Sequence, residues 1–182
     1  MLNTVFVPGY QNSFNGHWQE IWCNQFNDSS ESENSYWVEQ NDWQNPHCVD
    51  WVEALNSLVQ SLEGPVLFVT HSLGGSTVVE WSNKYTANIV GAFIVAVPDV
   101  HDANLPKAIS GYQALPLTTL PFPSIVLAST DDPYCKIDRA AYFAEAWGSQ
   151  FVNMGDLGHI NVESNINEWP EGKTLLNQFM VF

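Results

Sequence analysis

The stretch Val66-Leu67-Phe68-Val69-Thr70-His71-Ser72-Leu73-Gly74-Gly75 limits what this chain can fold into more than any other. Gly64-Pro65 punctuates its start. The run that follows is apolar and rich in β-branched and aromatic residues, which is the pattern of a buried strand. A helical pattern begins directly behind the glycines. A serine on a turn between a buried strand and a helix has its hydroxyl lifted above the sheet edge, beside the unpaired N–H groups of the helix N-terminus. That is the arrangement of a nucleophile elbow. A plain Ser-Gly-Gly connection is the alternative, and only a histidine, an acid and a second oxyanion donor elsewhere in the chain decide between them.

The rest of the chain alternates in the same way. Short apolar strands are expected at residues 3–7, 36–39, 89–97, 124–128 and 150–153. Helical spacing runs from His17 through Phe26, from Val49 to Leu62, from the elbow to about Tyr85, from Ile137 to Trp147, and from Pro170 through Phe179. Residues 27–34 are acidic and serine-rich and read as an exposed loop, and 41–46 as a turn-rich connection. Residues 101–123 carry Pro106, Pro116, Pro121 and Pro123 and read as a long loop with room for one short helix. Such a loop either walls a substrate pocket or packs as an irregular excursion. Strand–helix alternation calls for an α/β fold, a mostly parallel central sheet with helices on both faces. With no repeat or linker, residues 1–182 are expected to form a single domain.

Composition excludes several classes of function. Hydrophobic residues make up 45% of the chain and charged residues 14%, so a packed core is expected. Twenty acids against five bases give a formal charge of −15. Nucleic acid is excluded, since phosphate binding needs Lys and Arg to release counterions. An anionic membrane surface is excluded for the same reason. No Lys or Arg precedes Lys84, so no secretory signal is expected, and no apolar run approaches a membrane span. Cys23, Cys48 and Cys135 are odd in number and widely spaced. They suit a reducing compartment, hence the cytoplasm, better than a disulfide framework. No ligand spacing for zinc occurs, and neither a metal nor an organic cofactor is expected. Nothing in the sequence indicates a protein partner.

In an open α/β sheet, ligands bind at the carboxyl ends of the strands. Gly9 and Tyr10, Ser72, Asp132 and His159 all follow predicted strands there. A serine hydroxyl needs a base to take its proton, and the base needs an acid to fix its tautomer. The chain order Ser72, Asp132, His159 is the order of an α/β-hydrolase triad. His159, glycine-flanked in a late loop, is the preferred base. Its rivals are His71, expected to point away from the serine, His17 and His47 at helix starts with surface or capping roles, and His101 in the long loop. For the acid, Asp132 competes with Asp131, read as a solvated turn residue, and with Asp99. The oxyanion donors would be the N–H of Leu73 and the N–H of Tyr10, each such donor contributing about 3 kcal/mol to transition-state stabilisation. Trp18, Trp43 and Tyr134 are candidates for an acyl pocket, with core packing as the alternative for each.

Eight segments carry a resemblance across nearly the whole chain: Val7-Pro8-Gly9-Tyr10, His17-Trp18-Gln19, Asp42-Trp43-Gln44-Asn45-Pro46, His71-Ser72-Leu73-Gly74, Ala96-Val97-Pro98-Asp99-Val100, Ser129-Thr130-Asp131-Asp132-Pro133, Ala146-Trp147-Gly148 and Gly158-His159-Ile160-Asn161. In this order they resemble the small serine hydrolase family that includes YdeN and retinoblastoma-binding protein nine, within the α/β-hydrolase superfamily. The resemblance implies a compact α/β-hydrolase fold without a large cap domain. It implies Ser72 as nucleophile, Asp132 as acid and His159 as base, and esterase activity on a small-molecule acyl ester. An amidase or peptidase using the same groups, or a protein-binding module on a hydrolase scaffold, are the alternatives. Two departures stand out. Thr70 occupies the place of the first elbow glycine, where it is expected to crowd the turn, and residues 165–170 lack the glycines expected before Trp169-Pro170.

Overall fold

Each buried apolar run forms a strand, and the helical connections set the order of the strands. The computed structural model describes residues 1–28 and 33–181. Among them, six strands form one parallel sheet: β1 (Leu2–Val7), β2 (Glu33–Trp37), β3 (Val66–His71), β4 (Ile89–Val95), β5 (Ser124–Ala128) and β6 (Gln150–Asn153). Their order across the sheet is β2-β1-β3-β4-β5-β6. The helices are α1 (Trp18–Asp28), α2 (Cys48–Ser61), α3 (Leu73–Ser82), α4 (Ile137–Trp147) and α5 (Pro170–Phe179).

Side chains alternate across the strands, so each strand feeds two cores. Val5, Val7, Phe68, Ile94 and Val126 pack with Leu55 of α2, Val79 of α3 and Phe143 of α4. Phe6, Leu67, Val69, Phe93 and Leu127 pack with Trp18 and Trp22 of α1 and Leu176 of α5. With both faces covered, the inner strands can be apolar throughout, as β3 is. Burying each of these side chains contributes at most about 1.5–3 kcal/mol.

β1 has β2 on one side and β3 on the other, so the chain leaves it in opposite directions. That reversal opens a crevice at the carboxyl ends of β1 and β3, where α/β sheets bind ligands. The register pairs Val7 with Thr70 and His71 with Val95. It brings the Pro8-Gly9-Tyr10 loop beside Ser72.

Several boundaries differ from the sequence reading. The second strand lies at Glu33–Trp37 instead of 36–39, because the ladder to β1 pairs Leu2 with Glu33 and Phe6 with Trp37. This edge strand is polar at Asn34 and Ser35, which hides it from a hydrophobic pattern. The expected loop at 27–34 is shortened by α1 and β2, and its centre, 29–32, lies outside the described residues. β4 stops at Val95 because Ala96 takes a positive φ of 50°. The third helix ends at Ser82, and Tyr85 follows on a turn whose N–H donates to the Trp81 carbonyl, 2.8 Å. Residues 101–123 contain no helix. Leu115, Leu120 and Phe122 join the core, while Leu105, Pro106 and Ile109 line a cavity over Ser72. The missing glycines before Trp169 are replaced by Asn165 and Asn167 at φ 54° and 49°. Asparagine is the residue that best tolerates this left-handed region after glycine. No helix among the described residues is long and apolar enough to cross a membrane.

Candidate active site

Ser72 stands between β3 and α3 with φ 53° and ψ −126°. A non-glycine residue held there stores on the order of 1–3 kcal/mol of strain, and such strain clusters at functional sites. Two glycines let the β1 loop approach. A Cβ on Gly74 would lie 2.0 Å from the Val7 carbonyl oxygen, and one on Gly9 would lie 2.8 Å from Ser72 Cβ. Gln19 of α1 ties the same strands, its amide donating to the Val7 and Val69 carbonyls at 3.3 and 3.1 Å. Thr70 does not crowd the turn as expected. It is still within β3, and the space for its side chain comes from Gly75, where a Cβ would stand 3.2 Å from Thr70 Oγ1.

Across the crevice, His159 Nε2 lies 2.8 Å from Ser72 Oγ. Its Nδ1 lies 3.0 and 2.9 Å from the two carboxylate oxygens of Asp132. The His159 and Asp132 side chains are buried, 9% and 2% exposed, so water hardly competes for this pair. Asp132 Oδ1 also accepts the Tyr134 N–H at 2.9 Å. The structure therefore brings together the serine, base and acid named from the sequence. The rival acids are employed elsewhere. Asp99 pairs with Arg139 Nε at 2.9 Å. Asp131 is exposed, yet more than a solvated turn residue: its Oδ1 accepts the Gly158 N–H at 2.7 Å, steadying the loop before His159. His101 lies exposed, its N–H donating to Asp99. His47 is the exposed N-cap of α2.

Two histidines weighed in the sequence reading only as rival bases are buried beside the site. His17 caps α1, its Nδ1 accepting the Gln19 N–H at 3.2 Å, but it is buried instead of lying at the surface. Burial, and secondarily the proximity of His159, depress its pKa to about 3. His71 follows Leu67 and Val69 on the α1 face of the sheet. Its Nε2 reaches the His159 carbonyl oxygen at 2.9 Å. Burial, then His17 and His159, lower its pKa well below the ordinary value. Both are lining residues of the cavity over Ser72. The strand alternation placing His71 with Val69 was the available signal.

This cavity has a volume of about 430 Å³ and also includes Tyr10, Phe14, Ile109, Tyr134 and Glu163 in its walls. Tyr134 sits edge-on to the His159 ring, centroids 4.7 Å apart. The other two aromatic candidates do not line the cavity. Trp18 is 1% exposed and belongs to the core, in edge-on contact with Trp22, His71 and Trp169. Trp43 packs edge-on to Trp51, and its carbonyl accepts the Gln11 N–H at 3.1 Å. Trp43 thus tethers the Tyr10 loop from behind. Within that loop and the elbow, the Tyr10 and Leu73 N–H groups have no acceptor among the described residues, whereas the Ser72 N–H donates to the Val95 carbonyl. No three His, Cys, Asp or Glu side chains among the described residues come together as a metal site.

A parallel sheet in this order, with a strained serine on the β3–α3 turn at its switch point, defines an α/β-hydrolase fold. The family model described as serine hydrolase matches residues 4–178, and the chain belongs to that family. It is similar to a YdeN-like hydrolase from Pectobacterium atrosepticum at 28% identity and TM-score 0.84, over 98% of this chain and 90% of that one. The ydeN gene product of Bacillus subtilis shares the fold at 14% identity and TM-score 0.83, over all of both chains. The carboxylesterase CesB of Bacillus subtilis shares it at 14% identity and TM-score 0.66, over 96% of this chain and 82% of that one. No curated protein matches the sequence.

Proposed function

We propose that the chain is a single-domain carboxylesterase that cleaves a small ester through an acyl-enzyme, with Ser72, His159 and Asp132 as its catalytic triad. The observation that carries this reading is the continuous hydrogen-bonded path from Ser72 Oγ through both nitrogens of His159 to Asp132. Ser72 Oγ attacks the acyl carbon as its proton passes to His159 Nε2. Asp132 holds the proton on Nδ1 and stabilises the imidazolium. The C–O bond to the alcohol then breaks, and His159 returns the proton to the leaving oxygen. Water, deprotonated by the same imidazole, releases the acid and restores Ser72. The N–H groups of Leu73 and Tyr10 receive the oxyanion, a role supported by their lack of other acceptors. A cavity of about 430 Å³ suits a small acyl ester, with Leu105, Pro106 and Ile109 offering an apolar wall. Three buried, unpaired cysteines support a reducing, cytoplasmic setting.

A fluorophosphonate probe tests the reading, applied to the wild-type protein and to the variants Ser72→Ala and His159→Ala. Labelling abolished in Ser72→Ala and strongly reduced in His159→Ala is the expected result. A well-folded wild-type protein that fails to label at Ser72 overturns it.

A further inference from the structure

His159 must stay within bonding distance of both Ser72 and Asp132, yet it sits in a loop between Gly158 and Ile160. Such loops wander unless their backbone groups are tied. Here consecutive groups are tied, each by a side chain. Asp131 accepts the Gly158 N–H, and the Ser129 hydroxyl donates to the Gly158 carbonyl. The Trp18 indole N–H donates to the Ile160 carbonyl at 2.9 Å. Between them, the carbonyl of His159 itself lies 2.9 Å from His71 Nε2.

Chemistry fixes how these imidazoles are protonated. A carbonyl oxygen only accepts, so the His71 proton is on Nε2. His17 Nδ1 accepts the Gln19 N–H, so the His17 proton is also on Nε2. That Nε2 is buried and has no hydrogen-bond partner among the described residues. The His17 ring meets the His71 ring edge to face, centroids 4.6 Å apart, and the His71 ring lies 5.0 Å from that of His159. Trp18 closes the far side of His71 at 6.1 Å. Successive ring contacts thus link three imidazoles from the start of α1 to His159, and among the described residues only His159 of the three has a carboxylate partner.

We propose that His71, backed by His17, is a positioning residue for the catalytic base: its Nε2–H holds the His159 carbonyl and so keeps that imidazole aligned between Ser72 and Asp132. The proposal rests on the reading of those three residues as the catalytic groups. An imidazole suits the place because it supplies a directional donor at the reach of the carbonyl without a permanent charge. A lysine or arginine there would oppose the imidazolium formed at His159 during turnover.

The test compares His71→Gln, whose side-chain amide can return a donor to the His159 carbonyl, with His71→Phe, which keeps a ring and loses the donor. His71→Asn, whose amide is too short, serves if the phenylalanine variant does not fold. Two readouts are used: steady-state hydrolysis of p-nitrophenyl acetate, and the proton NMR resonance of His159 Nδ1–H against Asp132. A displacement of about 1 Å can lower turnover about a hundredfold. His71→Phe or His71→Asn is therefore expected to lose roughly that factor in kcat with KM little changed, and to broaden or lose the resonance. His71→Gln is expected to restore both to within about tenfold of wild type. Equal kcat and an unchanged resonance in His71→Phe overturn the proposal. So does equal impairment of the glutamine and phenylalanine variants. A wild-type protein with no hydrolytic activity counts against the esterase reading instead, and the resonance then decides the positioning role by itself.

Discussion

Lowering the pH from 8 to 5 tests the two buried histidines through folding stability, without any substrate. His17 has an ordinary pKa of 6.5 that burial depresses to about 3 in the fold. His71, 5% exposed, is displaced in the same direction. Between these limits the unfolded chain binds a proton at His17 and the folded chain does not, and the shift at His71 acts in the same direction. The unfolded state thus carries more protons, and stability must rise with pH. It is fully present above the ordinary histidine pKa and is lost as pH falls below it. At about 1.4 kcal/mol per pH unit, the 1.5 units between 6.5 and 5 correspond to about 2 kcal/mol for His17, and His71 adds to the loss in the same direction. That is a large share of the roughly 5–15 kcal/mol that holds a typical domain folded. Asp42 and Glu53, whose pKa values lie below the ordinary 3.8 and 4.5 through hydrogen bonds, lose their charge only at lower pH, outside this window. Urea unfolding followed by tryptophan fluorescence at pH 8, 7, 6 and 5 measures the slope. His17→Asn, which keeps an acceptor for the Gln19 N–H, should remove about one proton from it. A midpoint that stays constant between pH 8 and 5, or a His17→Asn slope equal to that of wild type, refutes the assignment of two neutral imidazoles.

Three further predictions follow from contacts in the site. Asp132→Asn should lower kcat on an ester by about 10⁴, since the amide no longer fixes the His159 tautomer. Asp131→Asn should fall by no more than about tenfold, because it removes one charged acceptor from the Gly158 N–H and leaves the acid in place. Turnover of a p-nitrophenyl ester separates the two. Gly74→Ala would put a methyl 2.0 Å from the Val7 carbonyl oxygen and 2.7 Å from that of Pro8. The β1 loop must then move, and a loss of at least about 1–3 kcal/mol in urea unfolding, with slower fluorophosphonate labelling, is expected. Thr70→Val removes a buried hydroxyl that has no hydrogen-bond partner among the described residues while keeping the branched shape. Stability should be unchanged or rise by up to about 2 kcal/mol, and a marked fall in the thermal midpoint would contradict this.

What the sequence made legible follows the range over which each signal acts. Strands such as β3 and β5 were readable because burial on both faces makes them continuously apolar, a local property. β2 was displaced because its position depends on pairing with β1, a partner about thirty residues away. Ser72, His159 and Asp132 were singled out through chain order and strand ends, and the sheet topology brings them within hydrogen-bond distance. Trp18 stayed open between pocket and core because an indole near the site and an indole in the core look alike in sequence. Only the fold turns its ring towards Trp22 and its N–H towards the Ile160 carbonyl. The burial of His17 and His71 went unread for a related reason. Histidine is usually read as a surface or catalytic residue, whereas here two lie neutral in the interior, recognisable by partners 2 and 88 residues away. The Thr70 departure resolves in the same terms. Gly75, five residues on, makes the space that the threonine takes, and Ser72 alone bears the positive φ of the turn. An elbow is therefore better identified by a strained serine with room on both sides than by a glycine at any single place before it. In this chain that room is divided between Gly9, Gly74 and Gly75, and the serine it exposes faces a histidine whose backbone is held from both sides.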